Sequence, residues 1–282
     1  MNIKINIMQT AFINSFRAKG FIHVVMLDFI YYAILLFLGS FYVYRILPSF
    51  LSIIDAVDIL KNSALFSSSR EFLVQADAMS ANWLSFKVYT IIIAVVLFLN
   101  YCIFKYLLWK KIHQKQQVMK ELIKSIGKFA LLNIILFIVY SLLVLFSYFI
   151  FVSETFNIFL FFVMPIIIIY TQNLVHPLFV QTQSLTETAK QYFAVGIKKI
   201  YRFVMPYILM LAALLLVMYI VPLLLFLPPA LYTLWYVLVF VIYFSWTKYY
   251  LHAIIIPSSV EVSQKQKVQI PLKKKKEQKE QK

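Results

Sequence analysis

Six stretches of this chain are long and apolar enough to cross a bilayer: residues 21–44, 87–109, 129–152, 156–180, 201–226 and 230–256. A hydrocarbon core asks for about 20 consecutive apolar residues in a helix. No water reaches the amides of such a segment, so its backbone hydrogen bonds must close within it. Composition agrees, because 62% of residues are hydrophobic and only 13% charged, about half the charged share of a soluble domain. The predicted fold is an all-α integral membrane protein with six transmembrane helices arranged as three hairpins. Amphipathic cytoplasmic surface helices and an external helical insertion between the first two spans complete it.

Orientation follows from the connector between the second and third spans. Lys105, Lys110, Lys111, Lys115, Lys120, Lys124 and Lys128 are opposed there only by Glu121. Short lysine-rich loops are retained in the cytoplasm. With that connector inside, 23 of the 27 Lys and Arg residues fall on the cytoplasmic side or its border. Arg45, Lys61, Arg70 and Lys87 are the four outside. Both termini are thus expected in the cytoplasm, with the cell membrane as the default location.

Residues 1–19 read as a basic surface helix, with Met8, Phe12 and Phe16 at four-residue spacing toward lipid and Gly20 as its cap. The first apolar run is longer than a signal-peptide core and no small-residue cleavage site follows, so it should stay as an anchor. Pro48 is expected to break the first span. Residues 45–86 then form the insertion, with Ser67, Ser68 and Ser69 placed to cap a helix from Arg70 and Trp83 as an interface anchor. Residues 118–126 read as a second surface helix ending at Gly127. Ser153, Glu154 and Thr155 form a tight external turn, and Pro165 and Pro177 lie within the fourth span. Ser184 to Glu187 has the form of a capping box. Pro228 and Pro229 make the last external turn, and residues 257–282 are a basic tail expected to be disordered.

The hairpins carry signs of an internal repeat. Lys128-Phe129 before the third span parallels Arg202-Phe203 before the fifth. Tyr170-Thr171 followed by His176 parallels Trp246-Thr247 followed by His252. The first hairpin would be a third copy interrupted by the insertion.

Asp28 is the only acidic residue inside a span, roughly 10 Å in from the cytoplasmic edge. An ionised aspartate in mid-membrane costs about 2.5–3.5 kcal/mol, so it calls for a partner. It is either hydrogen-bonded beside Val24 and Tyr32, or half of a charge pair with Lys105 or Lys248, or a proton-coupling site. Asn100, Asn133, Gln172 and Asn173 also fall in the cytoplasmic halves of spans, as do Lys105, His176, Lys248 and His252. Facing one another, they would line a polar pocket open to the cytosol. Taken singly, Lys105 and Lys248 would snorkel to the near interface, and Asn133 would bond to a neighbouring helix. Asp55 and Asp58 read as a solvated face.

Lys110, Lys111, Lys198, Lys199, Lys273, Lys274, Lys275 and Lys276 make the inner face strongly positive. Contact with anionic lipid headgroups follows, at about 1 kcal/mol per residue. No specific nucleic acid is implied. The single cysteine, Cys102, rules out an intramolecular disulfide, and no His-x₃-His or cysteine spacing points to metal. Four glycines leave no phosphate-cradling loop, dinucleotide fingerprint, nucleophile elbow or Gly-x-x-x-Gly interface. No catalytic residue and no cofactor is expected.

The basic N-terminal helix, the external helical insertion and the border Lys105-Tyr106-Leu107-Leu108-Trp109-Lys110-Lys111 together give the chain a family likeness. It resembles uncharacterised six-span membrane proteins of archaeal type. The resemblance covers most of the chain and implies no activity. From the residues, the expected function is a non-catalytic scaffold or assembly partner, meeting another membrane protein or a second copy. A small-solute transporter or membrane-insertion factor using the pocket around Asp28 is the alternative. A membrane-embedded lipid-modifying enzyme using Asp28 and His176 is a third.

Overall fold

The computed structural model describes the backbone of residues 12–15, 18, 20–62, 69–115, 117–150, 154–226 and 228–280, and in the last helix side chains up to Pro257. Among these residues all regular structure is helical. The elements are α1 (Phe21–Phe41), a π-helical turn (Tyr42–Ile46), α2 (Leu47–Asn62), α3 (Ser69–Ile112), α4 (Met119–Ile150) and α5 (Glu154–Thr182). There follow α6 (Leu185–Gln191), a second π-helical turn (Tyr192–Ile197), α7 (Tyr201–Ile220), a 3₁₀ turn (Val221–Leu224) and α8 (Pro229–Glu280). Six helical stretches are long and apolar enough to cross a membrane: Phe21–Asp55, Met79–Ile112, Met119–Phe146, Val163–Thr182, Tyr201–Leu223 and Leu231–Pro257.

Several junctions differ from the sequence expectation. Pro48 does not break the first span, because helix continues from Phe21 to Asn62 through the π-helical turn. Pro48 has no N–H to offer the carbonyl four residues back. Just before it the helix widens to the i→i+5 register, with the Leu47 N–H bonded to the Tyr42 carbonyl. The second half of the insertion and the second span are one 44-residue helix, α3, about 66 Å long. The surface helix expected at 118–126 does not end at Gly127 but runs on in α4, where a Cβ on Gly127 would meet nothing within 4 Å. Ser184 flanks α6 in an extended conformation but makes no side-chain cap. Its backbone carbonyl accepts instead from the Thr188 hydroxyl at 2.6 Å. Beyond Pro257 the backbone of α8 is helical where the sequence predicts a disordered tail; its Lys, Gln and Glu residues are good helix formers. Most of the N-terminal surface helix, Ser67, Ser68 and Ser153 lie outside the described residues.

The chain divides into two compact units. One comprises Phe29–Phe104. Within it α2 and α3 meet through stacked Phe50 and Phe86 rings 5.0 Å apart and an Asn82–Ser52 hydrogen bond of 3.3 Å. The Lys87 ammonium lies over the Trp83 ring.

The other unit comprises Met1–Asp28 and Lys105–Lys282. Its core is built from Leu174 and Leu178 of α5, Phe203 and Met210 of α7, and Trp246, Tyr250, Leu251 and Ile255 of α8. Phe12, which the sequence assigns to the lipid surface, sets its ring edge against Trp246 at 5.0 Å and Tyr250 at 5.8 Å. Burying an aromatic ring stabilises by about 1.5–3 kcal/mol in water, so Phe12 gains more here than at a wet interface. Gly196 marks a close approach, since a Cβ there would come within 3.0 Å of Leu174 Cδ1 and 3.2 Å of the Tyr192 ring.

Candidate functional site

The polar residues of the larger unit gather at the lysine-rich ends of its helices. Asp28 lies two turns into α1 and is fully buried. On α8, Ser245 and Lys248 are three residues apart and so share one face. That face meets Asp28: the Ser245 hydroxyl donates to Oδ2 at 2.6 Å and the Lys248 ammonium to Oδ2 at 2.5 Å and also to Oδ1. The ion pair is almost wholly buried, with the Lys248 side chain 9% exposed. A buried charge is tolerated only when it is paired and hydrogen-bonded, and both conditions hold. Of the partners the sequence offers Asp28, the structure selects Lys248. Lys105 is within electrostatic reach of both members of the pair.

A second cluster joins α4 and α5. His176 donates from Nε2 to Asn133 Oδ1 at 2.9 Å, and Asn133 Nδ2 donates to the Phe129 carbonyl at 2.8 Å. The acceptor-only Oδ1 fixes Nε2 as the protonated nitrogen. The Phe129 ring lies 4.8 Å from the imidazole. This is the interhelical bond expected of Asn133.

The third cluster holds the turn after α3. His113 Nε2 donates to the Pro177 carbonyl at 3.1 Å, which leaves Nδ1 to accept from His252 Nε2 at 3.2 Å. Burial pushes the His113 pKa down to about 4 from its usual 6.5, with the Lys115 charge adding to the shift and the Pro177 bond opposing it. Lys115 donates to the Val180 and Gln181 carbonyls, both at 3.1 Å. Those carbonyls end α5 and carry the negative pole of its dipole.

Both α3 and α5 stop on a glutamine in the left-handed region: Gln114 at φ 52° and Gln183 at φ 57°. After α3 the bonds Gln114 N–H to Lys111 O and Lys115 N–H to Lys110 O form a Schellman ending. A residue other than glycine pays roughly 1–2 kcal/mol for this conformation. Gln183 is held there by its side chain, which accepts from Ser125 at 2.6 Å and donates to the Tyr106 hydroxyl at 3.0 Å. The Tyr106 hydroxyl in turn donates to Gln117 Oε1 at 2.9 Å.

The predicted pocket residues therefore separate into pairs. Asp28 meets Lys248, Asn133 meets His176, and His252 meets His113, which the sequence does not single out. Asn173 reaches the Tyr207 hydroxyl at 3.4 Å, and Gln172 is half-buried. Asn100 belongs to the smaller unit, buried, with its amide nitrogen lacking a hydrogen-bond partner among the described residues. A cavity of about 570 Å³ does exist at this end, but Gly20, His23, Lys110, Lys111, Gln114 and Lys115 line it together with Leu27 and Leu107. None of the nine pocket candidates is among them. Of the lysines assigned to lipid, Lys110 and Lys111 line the cavity, Lys198 is exposed, and the side chains of Lys273 to Lys276 lie outside the described residues. Ser245, His113 and Gln183 are not singled out by the sequence, and Lys115 figures there only as a connector charge. Only Ser245 carries a signal, its three-residue spacing from Lys248. Among the described residues no group of three His, Cys, Asp or Glu side chains could hold a metal.

The class these features define is a multi-pass, all-helical membrane protein whose polar groups tie its helices together at one end. Comparison adds no narrower identity: no protein-family model, no curated protein and no solved structure matches the chain.

Proposed function

We propose that the chain is a non-catalytic multi-pass protein of the cell membrane, with both termini cytoplasmic, that acts as a scaffold or assembly partner. One observation carries the reading. Polar groups inside its spans are committed to partners within the protein, Asp28 to Lys248 and Ser245, His176 to Asn133, and His252 to His113 at the end of a span. A transporter or insertion factor centred on Asp28 needs that carboxylate open to a cargo, whereas here it is fully buried under its partners. A lipid-modifying enzyme needs Asp28 and His176 to act on one substrate, whereas the Asp28 oxygens are taken by Lys248 and Ser245 and His176 Nε2 by Asn133. Buried, satisfied polar groups specify one packing of helices, which suits a protein that must present a fixed surface.

Native mass spectrometry of the protein, extracted gently from its own membrane, tests this. A stoichiometric protein partner, or a defined homo-oligomer, is the expected result. A monomer that turns over a lipid or peptide after purification overturns the reading.

A further inference from the structure

The cavity beside the α3 ending has the chemistry of an anion site. Lys110, Lys111 and Lys115 line its walls, His23 and Gln114 add polar groups, and among the described residues no acidic side chain lines it. Among the described residues no carboxylate pairs with Lys110 or Lys111. Lys115 is fixed to the α5 carbonyls, so its charge is held at the wall instead of swinging into solvent. Leu27 and Leu107 supply an apolar side. The volume lies within the roughly 300–1,000 Å³ usual for ligand pockets.

Two further features favour a built site. Gln114 lines the cavity from a left-handed conformation that glycine would adopt without strain; backbone strain of this sort concentrates where ligands bind. Gly20, another lining residue, at φ +91°, leaves the backbone bare. A Cβ there would stand 3.6 Å from the Tyr249 hydroxyl and 3.7 Å from Lys111 Cε. That hydroxyl belongs to a side chain only 6% exposed and has no hydrogen-bond partner among the described residues.

We propose that this cavity binds a phosphate-bearing anion, with Lys110 and Lys111 as its paired cations, Gln114 as a neutral donor, and Leu27 and Leu107 against the apolar part of an amphiphile. Basic pockets at the ends of membrane helices hold phospholipid headgroups in this way. The inference does not depend on the scaffold role. A free phosphate or phosphate ester shares the headgroup's chemistry, and the test separates the two.

The experiment compares lipid retention by native mass spectrometry in nanodiscs mixed from phosphatidylglycerol and phosphatidylcholine. The proteins are the wild type, K111Q, K110Q/K111Q and, as a charge-matched control at exposed lysines away from the cavity, K120Q/K124Q. Thermal unfolding establishes that each is folded. Lys111 is exposed, so K111Q keeps the test valid should the double variant fail to fold. Preference for phosphatidylglycerol should fall about five-fold for each cavity lysine removed and remain in the control. Equal loss in K120Q/K124Q, or a lipid preference that persists undiminished in K111Q and K110Q/K111Q, overturns the site. A second arm titrates inorganic phosphate against the delipidated protein. Stabilisation by phosphate that vanishes in K111Q, without any lipid preference, keeps the anion site and reassigns its ligand to a soluble phosphate.

Discussion

Replacing Asp28 with Asn tests the ion pair between α1 and α8. Asn keeps the volume and an acceptor for the Ser245 hydroxyl, but it leaves the Lys248 ammonium almost fully buried with Lys105 as a like charge in reach. Because Asp28 is fully buried and Lys248 only 9% exposed, solvent screening offers little relief. Breaking such a pair from one side costs about 3–5 kcal/mol. K248M strands the carboxylate on Ser245 alone and belongs in the same range. The D28N/K248M double variant removes both charges and should lie near the wild type. The resulting coupling exceeds the roughly 1.7 kcal/mol ceiling measured for ordinary hydrogen bonds between membrane helices. Unfolding in mixed micelles, followed by the fluorescence of the four tryptophans, reads all four corners of this cycle. Single variants within about 1 kcal/mol of the wild type, or a double variant whose loss is merely the total of the singles, would falsify the claim that this pair joins the first and last spans.

Three other perturbations address separate contacts. Gly196→Ala forces a methyl to 3.0 Å from the fully buried Leu174 side chain and should destabilise by about 1–3 kcal/mol, visible as a lowered unfolding temperature. His113 has a folded pKa of about 4, below its usual 6.5, so the unfolded chain takes up a proton first. Its contribution is complete above pH 6.5, declines as pH falls through that window and is gone below about pH 4. The H113Q variant, which loses the contacts to Pro177 and His252 and the nearby Lys115 charge's influence, should show a shallower loss of stability over that range in acid unfolding. Gln183→Gly gives up the bonds to Ser125 and Tyr106 but relieves the left-handed backbone, whereas Gln183→Ala gives up the bonds and keeps the strain. The alanine variant should therefore be the less stable by about 1 kcal/mol; equal stabilities would mean that the backbone carries no strain.

The number of spans was legible because hydropathy is a local property and a bilayer imposes a fixed length on it. Their ends were less so. Pro48 and Gly127 are ordinary punctuation, yet the first was absorbed by a π-helical turn and the second by a helix with open space at that position. Whether a breaker breaks depends on the register and packing around it, which no single residue encodes. Phe12 shows the same limit from another side. Its spacing with Met8 and Phe16 marks an apolar face, but lipid and the rings of Trp246 and Tyr250 are equally good solvents for that face.

The site divides along a similar line. Asp28 and Lys248 stood out because charge in an apolar run has to be answered somewhere, and the short list of answers contained the right one. His113, Lys115 and Gln183 sit in connectors where polar residues are ordinary, so nothing in composition distinguished them from a solvated loop. Their importance comes from what they reach: α5 carbonyls for His113 and Lys115, and Ser125 and Tyr106 for Gln183. With no Gly-x-x-x-Gly surface to bring backbones together, bulky helices of this kind must be joined by polar side chains and aromatic stacks. Those joints are expensive to leave half-made in lipid. On the reading proposed above, the residues a reader would first take for a transport pathway hold the fold together, and ligand chemistry falls to the lysines of the cavity, where Lys110 and Lys111 pair with no carboxylate among the described residues.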